Sequence, residues 1–357
     1  MIFRAEIEGS PIFAGEECLI LLSSWLEENF SGDRLFILTD KQTRSSCLPI
    51  LSSVLGQRYT LHVLDFEGGE QLKTINSCIE IWEQLTVFRA ERSELLLNLG
   101  GGVVSDLGGF IASTYKRGIG FINIPTSLMG MTDAAIGGKN GVDFLEYKNL
   151  IGTITFPEAT FIWPGFLKTL PQREFRNGLA EIYKHGLIAD KNLWEALENT
   201  DAESIIELIP ASLQVKVDIV NLDPMENSRR KSLNFGHTIG HAIEGWFLSV
   251  TPFPVLHGEA IVAGMMMEVL LSVKYTALHT EVANEIIRKL KSIFGLISFP
   301  LPDPNELLKL MLHDKKNKQQ TLRFSLITSI GNAVWDIEVD ESDVKEAVMI
   351  YQSWQIQ

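Results

Sequence analysis

The sequence has little of what would tie it to a membrane, a nucleic acid or an oxidising compartment. No window offers the roughly twenty apolar residues that a helix needs to cross a bilayer. The opening Met1-Ile2-Phe3-Arg4-Ala5-Glu6 lacks the basic start and unbroken apolar stretch of a secretory leader. Cysteine is scarce. Cys18, Cys47 and Cys78 are an odd set without paired metal-type spacing, which predicts structural thiols in a reducing compartment. A basic excess is absent as well: with a formal net charge of -14 at pH 7, most of the surface repels a phosphate backbone or an anionic membrane. The resulting expectations are a cytoplasmic protein with no nucleic-acid or membrane partner. An anionic substrate then needs a local cationic pocket.

What is present is a chain long enough for two domains. Its 357 residues, 45% hydrophobic and 21% charged, support large cores and exclude general disorder. The first half alternates β-rich apolar runs with amphipathic stretches, the pattern of parallel strands joined by crossover helices. Runs at 35–39, 61–64 and 95–99 end respectively at Asp40, near Gly68-Gly69-Glu70, and at Gly100-Gly101-Gly102. Ligands of open α/β sheets gather outside such carboxyl ends. From Pro164 onward amphipathic segments dominate, at 174–189, 202–221, 236–247 and 258–275, and a hairpin is expected at 323–327 and 333–335 around Gly331-Asn332. The domains are therefore expected at 1–163, α/β and nucleotide-binding, and at 164–357, mainly α-helical.

The stretch GGGVVSDLGG at 100–109 follows an expected strand and precedes an expected helix, so its backbone can approach a pyrophosphate at a helix N-terminus. Its spacing is not the dinucleotide fingerprint, and a tight turn is the alternative. Company adds weight, because Gly68-Gly69-Glu70 with Lys73 closes one neighbouring strand and Pro125-Thr126-Ser127 another. The segment TDAAIGGKNGVDFLEYKN at 132–149 then puts Asp133, Lys139, Lys148 and Asn149 among glycines. Lysines usually lie on solvated faces, but glycines let an ammonium approach an anion.

In the second half, GLAEIYKHG sets Glu181 on one helical face with Lys184 and His185. NFGHTIGH places His237 and His241 one turn apart, and LHGE adds His257, so four of the seven histidines fall in three short segments. Imidazoles and a carboxylate are suitable zinc ligands, and spacing nominates Glu181, His237, His241 and His257. Hydrogen-bonded core histidines are the alternative. Arg229-Arg230-Lys231 and His313-Asp314-Lys315-Lys316-Asn317 are either solvated charge runs or sources of one inward-pointing cation.

The series GGGVVSD, IPTSL, GGKNGVD, KNLIG, FLKTLPQRE, GLAEIYKHG, LNFGHTIGHAIE, LHGEA and HDKKN resembles the 3-dehydroquinate synthases in order and interval, from Asp40 to the HDKKN loop. The resemblance implies a Rossmann-like NAD-binding α/β domain followed by a mainly helical metal-binding domain. It implies conversion of 3-deoxy-D-arabino-heptulosonate 7-phosphate to 3-dehydroquinate and phosphate in the shikimate pathway. NAD would be recycled, each subunit would hold one zinc or cobalt ion, and the enzyme would be a homodimer.

Carried over by resemblance, the metal ligands are Glu181, His237 and His257. His241 becomes a proton-handling residue beside the metal, which overrides the choice made from spacing. NAD would meet Asp40, Gly68, Gly69, Glu70 and Lys73 at two strand ends, and Gly101, Gly102, Val103, Val104, Ser105 and Asp106 at a third. Further NAD contacts would be Thr126, Ser127, Asp133, Lys139 and Lys148, then Phe166, Leu167, Lys168 and Thr169. The substrate would meet Lys139, Lys148, Asn149, Lys184, Lys216, Arg230, Asn234 and one of Lys315 and Lys316, with Arg117 reaching the substrate of the other subunit. Asp143 stands where the family commonly has asparagine, Ser127 replaces a usual threonine, and Ala134-Ala135 replace a frequent serine pair. Asp143 brings negative charge close to an anion site. Rival readings are another sugar phosphate cyclase, a metal-dependent polyol dehydrogenase, and a catalytically silent NAD-binding protein.

Overall fold

The computed structural model describes residues 2–145, 147–198, 201–251, 255–313 and 322–356. The chain falls into two compact units, Met1–Phe175 and Arg176–Gln357. Strands of the first unit are β1 (Phe3–Ile7), β2 (Ser10–Ala14), β3 (Arg34–Asp40), β4 (Thr60–Phe66), β5 (Leu95–Gly100), β6 (Gly120–Pro125), β7 (Lys139–Phe144), β8 (Tyr147–Ile154) and β9 (Ala159–Ile162). Its helices are α1 (Cys18–Asn29), α2 (Lys41–Ser46), α3 (Leu48–Leu55), α4 (Ile75–Val87) and α5 (Gly102–Thr114).

The main sheet has the order β1-β2-β9-β6-β5-β3-β4. Every neighbouring pair is parallel except β1 with β2. β5 is buried along its whole length, as a central parallel strand covered on both faces must be. The chain runs outward from β3 to β4, then returns at β5 on the other side of β3. This reversal sets a ligand crevice at the carboxyl ends of β3 and β5. The glycine-rich segment after β6 forms a two-stranded antiparallel ribbon of β7 and β8. Gly141 faces Gly152 across that ribbon, and a Cβ on Gly152 would sit 2.3 Å from the Asn140 carbonyl oxygen. Glycine is required there by close pairing of the two backbones. Cys18, Cys47 and Cys78 are buried thiols, and burial pushes Cys18 and Cys78 up to about 12, so they pack rather than react.

The second unit is mainly helical: α6 (Gln172–Ile188), α7 (Lys191–Ala196), α8 (Ala202–Leu222), α9 (His237–Val250), α10 (His257–Tyr275), α11 (Thr280–Phe294), α12 (Pro304–His313) and α13 (Glu341–Ile356). β10 (Arg323–Ser329) and β11 (Asn332–Glu338) make the expected hairpin, turning at Gly331 with φ of 85°. α10 is buried over most of its length because other helices cover it on several sides. Its start is held by α6, where Asn177 Oδ1 accepts from Gly258 N at 2.5 Å. Among the described residues no helix is long and apolar enough to cross a membrane.

Candidate active site

Glu181 lies on α6, His237 and His241 on the first turns of α9, and His257 opens α10. Glu181 is fully buried, and neither carboxylate oxygen accepts a hydrogen bond. Its Oε2 is ion-paired with the ammonium of Lys184, one turn along the helix. Its Oε1 faces His237 Nε2 at 3.7 Å and His257 Nε2 at 3.9 Å. Those gaps are too long for hydrogen bonds. They are close to the roughly 3.5 Å that separates two donors each about 2.1 Å from a shared ion.

The rings are oriented for that use. His237 Nδ1 donates to the Phe235 carbonyl at 3.1 Å, and His257 Nδ1 donates to Glu244 Oε2 at 3.0 Å. Carbonyl and carboxylate both accept, so each neutral ring presents Nε2 as its lone-pair nitrogen. Ring nitrogens of His237, His241 and His257 lie within 4.8 Å of one another. Burial, the Lys184 ammonium and the imidazoles of His241 and His257 hold His237 well below the ordinary histidine range. The neutral, metal-binding form is thereby favoured at pH 7. A buried carboxylate with one oxygen turned to neutral imidazoles and accepting no hydrogen bond fits a divalent ion of the zinc or cobalt kind.

In the first unit, α5 begins immediately after β5 at the reversal of the sheet, and no side chain caps it. Its first N–H groups therefore suit an anion. A Cβ on Gly101 would lie 3.1 Å from Ser127 Oγ and one on Gly102 3.0 Å from Ala134 Cβ, so two strand ends meet closely here. Gly68 and Gly69 hold φ of 84° and 97°, and a Cβ on Gly68 would sit 2.7 Å from that of Asp40. Asp40 itself caps α2, its Oδ1 accepting from Thr43 N at 2.8 Å. Gly108 and Gly109 have a different purpose: added Cβ atoms would lie 2.0 Å from Asn98 Oδ1 and 1.8 Å from Asn140 Oδ1, which makes them packing glycines.

Lys73 draws three motifs together. Its ammonium donates to Asp106 Oδ2 at 2.5 Å and to Asn149 Oδ1 at 2.6 Å, and its carbonyl accepts from Asp143 N at 2.8 Å. Lys148 pairs with Glu70 at 2.7 Å. Burial alone would lower Lys73, but the carboxylates of Asp106 and Glu70 hold it above the ordinary lysine range. Of the remaining candidates, Val104, Ser105, Thr126, Phe166 and Leu167 are buried, Val103 and Asp133 are half-buried, and Lys168 and Thr169 are exposed. Glycine turns, an uncapped helix start and a charged lysine fit the phosphates of a dinucleotide.

Residues 63–177 match the family model described as 3-dehydroquinate synthase N-terminal, and residues 178–317 match 3-dehydroquinate synthase C-terminal. A 3-dehydroquinate synthase of Parabacteroides distasonis is 38% identical over 337 residues, covering 92% of this chain and 94% of that protein. One from Rippkaea orientalis is 41% identical over 350 residues, with 93% and 92% covered. The chain belongs to the 3-dehydroquinate synthase family. Membership makes it a lyase-type enzyme acting on a phosphorylated substrate. A 2-epi-5-epi-valiolone synthase from Streptomyces hygroscopicus subsp. jinggangensis, solved with NAD+ and Zn2+ bound, superposes with a TM-score of 0.86 at 26% identity, covering 98% of both chains.

Other candidate positions of this family member divide by burial. Lys184, Lys216 and Arg230 are buried, Asn234 and His241 half-buried, and Lys139, Arg117 and Asn149 exposed. Within the run Arg229-Arg230-Lys231 it is Arg230 that points inward; its Nη1 donates to the Pro224 carbonyl at 2.6 Å. α8, which carries Lys216, packs on the turn that carries Arg230 and Asn234. His185 faces α8 instead, with Nδ1 2.8 Å from Ser212 Oγ. Arg117 holds a φ of 67° directly after Lys116 at 51°, two left-handed residues in succession. Lys315 and Lys316 lie outside the described residues. Burial holds the Asp143 carboxyl above the ordinary aspartate range, although Lys73, Lys148 and the hydrogen bond that Oδ1 accepts from Asn149 N at 2.7 Å act to lower it.

Three supporting residues escaped the sequence reading. Asp223 accepts backbone N–H groups from Asn227, Ser228 and Arg230. Glu268 accepts from Gly236 N and Ile239 N. Glu244 holds His257, and a signal for it existed: at seven residues after His237 and three after His241 it shares their helical face.

Proposed function

We propose that the chain converts 3-deoxy-D-arabino-heptulosonate 7-phosphate to 3-dehydroquinate and phosphate, using NAD as a recycled oxidant and one zinc or cobalt ion. The observation that carries this reading is the buried carboxylate of Glu181, whose Oε1 accepts no hydrogen bond and faces the Nε2 atoms of His237 and His257. The named relatives support the reaction, and the related synthase that binds NAD+ and Zn2+ supports the two cofactors. When bound, the ion supplies Lewis-acid polarisation of substrate hydroxyls and NAD supplies reversible hydride acceptance.

Glu181, His237 and His257 hold the ion. His241 moves protons at the hydroxyls being oxidised, with Lys184 orienting it and the substrate. Lys216, Arg230 and Asn234 fix the carboxylate and hydroxyls, and Lys139, Lys148 and Asn149 fix the phosphate. Holding both ends of the substrate brings the ring-closing carbons together, so closure needs no covalent nucleophile. The turns at Asp40, Gly68 to Lys73, Gly101 to Asp106, Thr126-Ser127 and Phe166 to Thr169 hold NAD. Residues 1–163 act as the NAD-binding part and 164–357 as the metal- and substrate-binding part of a cytoplasmic homodimer, in which Arg117 serves the partner's substrate.

Incubation with the heptulosonate phosphate, substoichiometric NAD and zinc tests the proposal. Phosphate and 3-dehydroquinate should appear without net NADH. Conversion of the NAD to NADH, with the reaction halting once the oxidant is spent, would instead make the enzyme a polyol dehydrogenase, and turnover only of other sugar phosphates would make it a different cyclase.

A further inference from the structure

α9 and α10 pack antiparallel and close, with Gly236 beside Gly264 and Gly240 beside Ala260 and Ile261. A Cβ on Gly264 would sit 2.0 Å from the Gly236 carbonyl oxygen, and one on Gly240 would sit 2.7 Å from Ile261 Cδ1. Each helix lends a buried glutamate to the start of the other. Glu244 of α9, 2% exposed, accepts from Nδ1 of His257, the first residue of α10. Glu268 of α10, 0% exposed, accepts from Gly236 N at 2.6 Å and Ile239 N at 3.3 Å, the backbone on either side of His237.

Burying a carboxylate is unfavourable unless donors meet it, and apolar residues would fill either position without that cost. The exchange spends two such groups where the histidines are displayed. Neither glutamate belongs to the candidate ligand set. Their common effect is geometric: Glu268 fixes the backbone from which His237 projects, and Glu244 fixes the ring of His257 and the position of its proton.

We propose that Glu244 is a positioning residue of the metal centre, holding His257 in the Nδ1–H tautomer so that Nε2 meets the ion, and that this hydrogen bond sets the affinity of the site. A carboxylate behind the ring also raises the basicity of Nε2, which an amide does only weakly. The inference rests on the metal-centre reading above and adds to it a residue that never touches the ion.

The test uses the full chain stripped of metal. Zn2+ affinity is measured by competition with a chromophoric chelator for wild type, Glu244→Gln and Glu244→Ala, alongside the visible absorption of the Co2+ form and the urea midpoint without metal. The expected result is a Zn2+ affinity roughly 10- to 100-fold weaker in Glu244→Gln, with an altered Co2+ spectrum and a metal-free midpoint close to wild type. Affinity within twofold of wild type in the variants overturns the inference while leaving the metal centre intact. Absence of Zn2+ and Co2+ binding in wild type overturns the metal-centre reading and this inference with it. Should the variants not fold, nitrogen NMR of the wild-type histidine rings decides: His257 protonated on Nδ1 supports the proposal, and protonation on Nε2 in the metal-free protein overturns it.

Discussion

Lys73 and Asn149 stand 76 positions apart, and the ammonium of one donates to the side-chain oxygen of the other at 2.6 Å. The contact joins the turn after β4 to the β7–β8 ribbon, where Asn149 lies in the left-handed region at φ of 51°. Since the same ammonium neutralises Asp106, replacing it strands a partly buried carboxylate. Lys73→Met is expected to lower stability by about 3 kcal/mol, and adding Asp106→Leu should recover most of that loss. Urea unfolding of both variants checks this, and NAD titration should show weaker binding in each.

Gly109 faces the buried side chain of Asn140, which cannot swing aside because Nδ2 donates to the Gly138 and Thr155 carbonyls at 2.9 and 2.8 Å. Gly109→Ala should therefore cost about 2 to 3 kcal/mol. Asn140→Ala in the same chain should cost less in the Gly109→Ala background than in wild type. A thermodynamic cycle from four unfolding curves measures that coupling.

Asp223 anchors the turn that delivers Arg230. Burial acts to raise its carboxyl, but the N–H groups of Ser228, Asn227 and Arg230 outweigh it and hold the group below the ordinary aspartate range. A lowered folded pKa means stability that is fully present above the ordinary value of about 3.9 and is lost as pH falls through the folded value. Asp223→Ala is expected to cost about 2 kcal/mol at pH 7. The difference from wild type should shrink only below about pH 4, as followed by urea midpoints across an acid series.

The histidines of α9 separate two roles that spacing alone treats alike. His237→Ala should lose bound metal and with it turnover, whereas His241→Ala should keep metal and lose roughly 10²- to 10⁴-fold in phosphate release, the effect of removing a proton-transfer group. Metal content of each purified variant, set beside its turnover, distinguishes them. Metal loss in His241→Ala equal to that in His237→Ala would make His241 a ligand.

The α/β-then-helical order, the main strands, the long helices and the terminal hairpin were legible in the sequence, because apolar periodicity and turn residues are local properties written directly in the chain. So were the candidate residues Glu181, His237, His241 and His257, whose types already restrict them to a narrow chemistry. Tertiary structure decided what those residues face. It set Glu181 in a buried position with Oε1 facing two imidazoles, turned Arg230 inward from a charge run, spent Gly108 and Gly109 on close packing, and met Asp143 with Asn149 and two lysines. It also supplied the partners of Glu244 and Glu268, each of which reaches from its own helix to the start of the other. Burial and hydrogen-bond partners depend on which segments distant in the chain come to lie together, and no local pattern encodes that.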